Sequence, residues 1–223
     1  MSVYTPLIKD VAAAARHIAA GRVVAVPTGT SYGLAVDTLQ GWAVQRVRVL
    51  KQRPADKALT VFMADSLLDE FLDLADSERS LLQLMQNRSL TLLVKPRPSL
   101  AHLAQDGLVG LRVIDHPLMR ALAMAAKVPL TATSANRSGA AACFTADCIT
   151  DAFPGLLPDE LLQEGDNPRG ATGTTYDLSL AGLLDGGELP DKPPTTIAKI
   201  DGDTITIARQ GALSQEELAQ ALA

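Results

Sequence analysis

Apolar residues near the amino terminus follow a helical period and then form a short continuous run. From Ile8 to Ala20 they recur at intervals of three and four residues, and Gly21 follows them. This spacing predicts a helix that ends at the glycine. Val23 to Val26 form an apolar run closed by Pro27, which predicts a buried strand that leads into the polar loop 28–31.

Helical and extended patterns continue to alternate along the middle of the chain. The pattern predicts helices over 42–50, 67–74, 78–86 and 116–127, and strands over 59–63, 90–94, 109–113 and 130–133. Such alternation predicts an α/β fold in which helices cover a largely buried sheet. Ligands of these sheets bind beyond the carboxyl ends of strands, so the polar loops there are the first places to look for a site.

The carboxyl-terminal part changes in composition. Residues 165–194 are rich in Gly, Pro, Asp and Thr, and we interpret them as a long surface excursion. The runs 195–200 and 204–208 flank Asp201-Gly202-Asp203, which predicts a hairpin. Ser214 is the expected N-cap of a last helix. The whole chain, 1–223, is predicted to form one domain.

Composition narrows the classes of protein. The chain has 223 residues, 47% of them hydrophobic and 20% charged, which is typical of an ordinary globular protein. Its net charge of -5 means that a polyanion must meet a local basic patch. We expect Cys143 and Cys148 to be reduced thiols, and the three scattered histidines lack metal-ligand spacing. No metal site is predicted.

Targeting signals are missing from the sequence. The longest apolar runs, such as 23–26 and 108–111, are far shorter than the roughly 20 residues that a membrane helix needs. The first residues lack the apolar stretch of a signal peptide. We therefore expect a cytoplasmic protein with no membrane partner.

Several common catalytic motifs are also missing. The sequence has no P-loop, no Gly-x-Gly-x-x-Gly after a strand, no Gly-x-Ser-x-Gly elbow and no His-Glu-x-x-His helix. The usual nucleotide-binding and hydrolase classes are thereby disfavoured.

Three polar loops supply hydroxyls and cations with few carboxylates. They are 27–34, which contains Thr28 and Thr30, 51–57, which contains Lys51, Arg53 and Lys57, and 133–136, which contains Thr133, Ser134 and Asn136. Arginine grips phosphate with a bidentate fork, and lysine acts as a point charge. Each loop alone is also explained as a turn, a solvated basic segment or a loop cap. Together they predict an anionic ligand.

Five segments in order resemble the YrdC/Sua5 family. They are Pro27 to Leu34, Lys51 to Pro54, Arg112-Val113 with His116-Pro117, Thr133 to Gly139, and Arg209-Gln210-Gly211. The resemblance spans about residues 8–213. It implies a twisted, open, mixed sheet covered by helices, with a concave cationic cavity.

The resemblance also implies an activity. Members of this family form threonylcarbamoyl-AMP and pyrophosphate from L-threonine, bicarbonate and ATP, for the threonylcarbamoyladenosine modification of tRNA. Such a displacement needs positioning and charge neutralisation more than a side-chain nucleophile. ATP is a substrate here, and Mg²⁺ is expected to be held mainly by its phosphates.

Site residues follow from the same resemblance. The implied catalytic residues are Lys51, Arg53, Ser134 and Asn136. The implied substrate-binding residues are Thr28, Thr30, Arg112, Thr133 and Thr196. The implied nucleotide-binding residues are Lys51, Arg53, Lys57, Ser134, Asn136 and Arg209.

Two other functions stay open at the level of sequence. The acidic residue usual between the two threonines of the family is Gly29 here, and Arg88-Ser89-Leu90 and Thr195-Thr196 also depart from the family pattern. A diverged, non-catalytic protein that binds tRNA or double-stranded RNA is one alternative. Carbamoyl transfer to another acceptor is the second. Other expected partners are tRNA-modification proteins that act after this reaction.

Overall fold

A computed structural model describes residues 7–8, 10–53, 58–153, 180–202 and 204–222. Lys57 and the stretch 165–179 of the predicted excursion lie outside the described residues. The helices are α1 Val11–Ala19, α2 Gly41–Leu50, α3 Leu68–Phe71, α4 Asp76–Leu84, α5 Pro117–Ala126, α6 Ala146–Ala152 and α7 Gln215–Leu222. Within these ranges, no helix has both the length and the apolar character needed to cross a membrane.

Local signals explain where the first and last helices begin. The Asp10 carboxylate accepts a hydrogen bond from the Ala13 amide at 2.6 Å, which caps α1. The predicted N-cap of the last helix is confirmed, because the Ser214 hydroxyl accepts from the Glu217 amide at 3.1 Å. In return, the Glu217 carboxylate accepts from the Ser214 amide at 2.8 Å. This reciprocal pair is a capping box.

Five strands form a first mixed sheet. In spatial order they are β1 Leu7–Ile8, β10 Leu180–Leu184, β2 Val23–Pro27, β3 Tyr32–Ala35 and β9 Thr133–Ser134. The pairs of β10 with β1 and with β2 are parallel, and those of β3 with β2 and with β9 are antiparallel. Strand β2 is buried at every position, which explains its continuous apolar run.

A second mixed sheet holds the remaining strands. In order they are β12 Thr204–Arg209, β11 Thr196–Asp201, β6 Leu90–Pro96, β7 Val109–Arg112, β4 Thr60–Phe62 and β8 Leu130–Thr131, and β5 Leu72–Asp73 also pairs with β6. The predicted mixed α/β class is confirmed. The sequence predicts one sheet, whereas the hydrogen-bond ladders form two.

The segment predicted as one strand over 130–133 is shared between the sheets. Leu130–Thr131 pair with β4 in the second sheet, whereas Thr133–Ser134 pair with β3 in the first. Between them, the Ala132 amide donates to the Thr60 carbonyl at 2.8 Å. The chain thus crosses from one sheet to the other and leaves Thr133 and Ser134 where the sheets meet.

The surface excursion over 165–194 needs a correction in its described part. Leu180–Leu184 is an internal strand of the first sheet, and Leu180, Leu183 and Leu184 are buried. Its ladder shifts register between Leu180 and Gly182. The short apolar run was hidden because Gly and Asp surround it and its partner strands lie more than 150 residues away in sequence.

Helices cover the sheets from different sides. Helices α1 and α5 pack on each other and on strand β2. Ile18 of α1 and Met119 of α5 share one buried cluster with Val24 and Val26. Val23 and Ala25 point into the other cluster, which also includes Val47 of α2 and Leu81 of α4. Strand β2 is therefore buried on both faces.

Candidate active site

A cavity of about 660 Å³ lies between the two sheets. Its described lining includes four cations, Arg53, Arg112, Lys192 and Arg209, and a single carboxylate, that of Asp191. Such an excess of positive charge in a concave site raises the local concentration of anions. A second, largely apolar cavity of about 240 Å³ also touches Arg112, but none of the other predicted site residues line it.

The turn between β2 and β3 is closed by the Thr28 side chain. Its hydroxyl donates to the Ser31 carbonyl at 2.6 Å, and the Thr30 and Ser31 amides donate to it at 3.4 Å. Thr28 is buried behind the turn, whereas Thr30 lines the cavity. Thr28 therefore shapes the turn that presents Thr30.

Arg112 ends strand β7 beneath this turn. Its Nη2 lies 2.9 Å from Thr28 Oγ1, 3.0 Å from Thr30 Oγ1 and 3.3 Å from each carboxylate oxygen of Asp115. Its Nε is buried and has no hydrogen-bond partner among the described residues. Burial lowers the pKa of Arg112 and the Asp115 charge opposes this, but arginine stays charged in proteins. The cavity is thus lined by a largely buried guanidinium that keeps one donor without a partner among the described residues.

Asp115 was not predicted as a site residue. Its side chain is 3% exposed, and its carboxylate accepts from the Gly29 amide at 2.9 Å and from Ser89 Oγ at 3.2 Å. A Cβ atom on Gly29 would lie 2.3 Å from Asp115 Cγ. The only sequence signal was the absence of a side chain at Gly29, which does not say which residue fills the space.

Lys51 lies just after α2 and is buried rather than open to the cavity. Its ammonium donates to the Ser134 carbonyl and to the backbone and side-chain oxygens of Asn136, the last two at 2.8 and 2.9 Å. Burial and the nearby charge of Arg53 lower the pKa of Lys51 to about 8. Its three donors therefore hold the loop after β9 in place.

That loop presents Ser134 to the cavity. Ser134 Oγ donates to Asn136 Oδ1 at 2.6 Å, and Asn136 Nδ2 donates to the Ala140 carbonyl at 2.5 Å. Thr133 and Ser134 line the cavity, and Asn136 stands behind them. The two side chains of the predicted Ser-x-Asn pair do lie together, although β9 ends at Ser134.

Arg53 follows a left-handed residue, Gln52, with φ 50°. Its Nη2 donates to the Ala58 carbonyl at 2.7 Å, which directs the side chain across the cavity wall. Its Nε is buried and, like that of Arg112, has no partner within the described ranges. Burial and the Arg48 charge lower its pKa.

Arg209 closes the opposite wall at the end of β12. Its Nη2 donates to the Thr195 carbonyl at 2.7 Å and to Thr195 Oγ1 at 3.0 Å. Burial lowers the pKa of Arg209, and the charge of Arg112 lowers it further. The two guanidinium groups therefore repel each other across the cavity, and an anion between them relieves this repulsion.

Thr196 faces away from the cavity. Its hydroxyl is fully buried, donates to the Leu213 carbonyl at 2.7 Å and accepts from the Leu213 amide at 2.8 Å. Thr195, one residue earlier, lines the cavity and accepts from Thr91 Oγ1 at 3.0 Å. Successive residues of an extended chain point to opposite sides. The hydroxyl predicted at Thr196 therefore points away from the cavity, and that of Thr195, one residue earlier, points into it.

The cysteines differ from the expectation of free thiols. Cys143 and Cys148 form a disulfide, with their Cα atoms 5.4 Å apart. The Thr145 hydroxyl accepts from the Cys148 amide at 3.2 Å, which turns the chain into α6 and brings the cysteines together. Phe144, between them, lines the cavity.

The structure thus gathers most predicted site residues and separates a few. Thr30, Arg53, Arg112, Thr133, Ser134 and Arg209 line one cavity, and Thr28, Lys51 and Asn136 lie immediately behind it. Thr196 lies on the far side of its strand, and Lys57 is outside the described residues. Within the described ranges, no group of three or more His, Cys, Asp or Glu residues is placed to hold a metal ion.

These features define an α/β protein with a cavity whose described lining carries more cations than carboxylates. The sequence model of the Sua5–YciO–YrdC family, described as "Telomere recombination", matches residues 16–179. The chain belongs to this family.

Similar proteins carry related names. The chain is 33% identical over 156 residues to the threonylcarbamoyl-AMP synthase of Haemophilus influenzae, covering 66% of this chain and 85% of that protein. It is 29% identical over 225 residues to the threonylcarbamoyl-AMP synthase of Bacillus subtilis, and the match covers 98% of this chain and 57% of that protein. The crystal structure of P. abyssi Sua5 complexed with L-threonine has a TM-score of 0.75 at 24% identity, covering 95% of this chain and 56% of that chain. This chain spans little more than half the length of the last two.

Proposed function

We propose that this protein is a threonylcarbamoyl-AMP synthase, which condenses L-threonine, bicarbonate and ATP. The observation that carries the proposal is the meeting of Arg53, Arg112 and Arg209 at one cavity, with the Nε atoms of the first two buried and unpartnered among the described residues. Buried polar atoms without partners are rare in folded proteins, and a bound ion or ligand is one of the explanations for them. The relatives named as synthases support the same activity.

The reaction suits a cavity that has charge but no evident nucleophile. The amine nitrogen of threonine adds to the carbon of bicarbonate and water leaves, which gives a carbamate. A carbamate oxygen then attacks the α-phosphorus of ATP, and the bond from that phosphorus to the β-phosphate oxygen breaks. Pyrophosphate leaves, so the protein must hold two anions together and neutralise the charge that develops.

We assign the amino-acid end of the cavity to the turn after β2. Thr30 accepts a hydrogen bond from Arg112, so its own hydroxyl hydrogen is available to the threonine carboxylate. Arg112, whose Nε is unused by the described residues, supplies the positive charge. The P. abyssi Sua5 structure, which has the same fold, is a complex with L-threonine, and this supports an amino-acid site in the family fold.

We assign the nucleotide end to Arg53, Arg209 and Ser134; Thr133, which the sequence predicts to bind the amino-acid substrate, lines the cavity beside Ser134. Arginine forks match phosphate oxygens in geometry and charge. Lys51 and Asn136 act indirectly, because their hydrogen bonds hold the loop that carries Ser134. Thr195 takes the cavity position that was predicted for Thr196, and Lys57 remains an assignment from sequence.

Mg²⁺ enters this scheme with ATP. We expect the ion to be held mainly by phosphate oxygens and water, as Mg²⁺ is with nucleotides. When bound, it contributes further positive charge to the phosphates.

The product has a mixed anhydride bond and hydrolyses unless another protein consumes it. We therefore place the protein in the cytoplasm beside ATP, tRNA and a transferase that passes the threonylcarbamoyl group to tRNA. Co-purification of such a transferase with the tagged chain tests this step.

Pyrophosphate release from ATP tests the activity. We expect release only when both threonine and bicarbonate are present, and a loss of roughly 100-fold or more in Arg112→Met. Arg88→Met is the matched control, because Arg88 is half exposed and pairs with Glu217 on the surface. Release without an amino acid, or none with any amino acid, contradicts the proposal. Salt-sensitive RNA binding without turnover favours the non-catalytic alternative.

A further inference from the structure

Gly29 and Asp115 fit together as a pair across 86 residues of sequence. The Gly29 amide donates to Asp115 Oδ1 at 2.9 Å. A Cβ atom at position 29 would lie 2.3 Å from Asp115 Cγ and 2.4 Å from its Oδ2. Contacts this short do not occur in folded proteins, so the carboxylate occupies the space that any side chain at position 29 needs.

Space, and not backbone conformation, requires the glycine. Gly29 is absent from the described residues with positive φ, so its backbone is one that any residue adopts. The three atoms nearest to a Cβ at position 29 all belong to the Asp115 carboxylate. Removal of the Asp115 carboxylate is expected to make that position permissive.

The carboxylate joins three segments at the floor of the cavity. It contacts Gly29 in the turn after β2, Ser89 before β6 and Arg112 at the end of β7. The carboxylate and the guanidinium are 3% and 9% exposed. Burying such a pair gains little stability over apolar residues, so stability alone is a weak reason for it.

The contacts fix how Arg112 meets a ligand. Its Nη2 has two hydrogens, and four acceptors on Thr28, Thr30 and Asp115 lie within 3.3 Å. Nη2 is therefore fully committed to the protein, whereas the buried Nε has no partner among the described residues. The carboxylate also holds the turn that carries Thr30. The two groups assigned to the amino-acid carboxylate are thus both aligned by Asp115.

We propose that Asp115 is the positioning residue for the amino-acid substrate, and that it aligns Arg112 and Thr30 from the space left free by Gly29. This rests on the proposed function, because it assigns Arg112 and Thr30 to the threonine end of the cavity. Asp115 touches neither substrate, so its loss is expected to act on threonine binding and much less on ATP.

Asp115→Asn and a positional exchange test the proposal. The amide of Asp115→Asn keeps one acceptor for the Gly29 amide but loses the charge that holds Arg112. We expect the threonine KM, and the threonine Kd from calorimetry, to rise roughly 10- to 100-fold, with the ATP KM within about threefold of the wild type. Asp69→Asn is the control, because Asp69 pairs with Arg79 at the exposed surface.

The exchange variant combines Gly29→Asp with Asp115→Ala. It places a carboxylate in the same space as in the wild type, but attaches it to position 29 instead of position 115. We expect Asp115→Ala to lose threonine affinity, Gly29→Asp alone to be impaired by the clash, and the double variant to recover at least about fivefold relative to Asp115→Ala. A role in folding alone would change the melting temperature of these variants without separating threonine from ATP.

The outcomes distinguish this proposal from the proposed function. Suppose that the wild type makes the adenylate. A normal threonine KM in Asp115→Asn, or no recovery in the exchange variant, then overturns only the role of Asp115. A wild type that neither turns over ATP with threonine nor binds threonine overturns the proposed function, and the role of Asp115 with it.

Discussion

The ammonium nitrogen of Lys51 lies 2.9 Å from the side-chain oxygen of Asn136 and 2.8 Å from its backbone oxygen. The end of α2 is thereby tied to the loop after β9, 85 residues further along the chain. Because the ammonium also donates to the Ser134 carbonyl, its three hydrogens are used within the protein. Lys51 therefore organises the site from behind and does not face the cavity.

Lys51→Met is expected to destabilise the fold as well as to reduce activity. The change keeps an unbranched side chain but removes the Lys51 donor from the carbonyl oxygens of Ser134 and Asn136; the Ser134 carbonyl keeps the Asn136 amide as a donor at 3.0 Å. We expect the free energy of unfolding in urea to fall by about 1–3 kcal/mol, together with slower pyrophosphate release. Lys95→Met is the control, since Lys95 pairs with Asp73 at the surface. Unchanged stability with a raised ATP KM would mean that Lys51 meets the phosphates directly.

The lowered pKa of Lys51 predicts a pH dependence of stability. Its pKa is about 8 in the folded protein and 10.5 in the unfolded chain. Between these values the unfolded chain binds more protons, so the contribution of Lys51 to the free energy of unfolding rises with pH across this window. Below pH 8 Lys51 is protonated in both states, and its contribution no longer changes with pH.

The measurement is the difference in the free energy of unfolding between the wild type and Lys51→Met from pH 7 to 11. Other groups titrate in both proteins and cancel. We expect the difference to grow in favour of the wild type above pH 8. A flat difference, or one that falls with pH, would contradict the lowered pKa.

Most elements could be predicted because their patterns are local. Val23–Pro27 and Leu90–Pro96 are nearly continuous apolar runs, as strands buried on both faces require. Leu180–Leu184 escaped detection because it is short, contains a glycine and pairs only with strands distant in sequence. Pairing between distant strands leaves no periodic signal at either one.

For the site, too, local sequence patterns predicted only part of what the structure shows. Ordered motifs identified the residues that meet at the cavity, but not which of them face it. Lys51 points inward and Thr196 points away, because burial and strand alternation decide orientation. Asp115 was missed because its partner, Gly29, is 86 residues away and marks the contact only by having no side chain.

Thr195, directly before β11, and Thr196, its first residue, offer a matched pair of substitutions. Thr195→Val removes an acceptor from Arg209 and from Thr91 at the cavity wall, so we expect the ATP KM to rise by up to about tenfold. Thr196→Val leaves the Leu213 amide and carbonyl without their partner. We expect this second change to reduce the free energy of unfolding by about 1–3 kcal/mol.

Turnover per folded molecule distinguishes the two threonine variants. Thr196→Val should retain the wild-type ATP KM once the folded fraction is taken into account from the urea curves. If Thr196→Val raised the ATP KM while Thr195→Val left it unchanged, the assignment of cavity faces along β11 would be wrong.

Reduction of the disulfide between Cys143 and Cys148 is expected to weaken the fold. The bridge closes a loop with a sequence separation of 5, for which the loss of chain entropy in the unfolded state corresponds to about 2 kcal/mol. The Cys143 carbonyl accepts from the Tyr32 amide at 2.8 Å, so the bridged loop also supports the start of β3. Urea unfolding with and without a reductant measures the effect, and alkylation followed by mass spectrometry counts the free thiols.

Cys148→Ser should match the reduced wild type and should not respond to the reductant. Two free thiols in the protein purified without reductant would contradict the bridge.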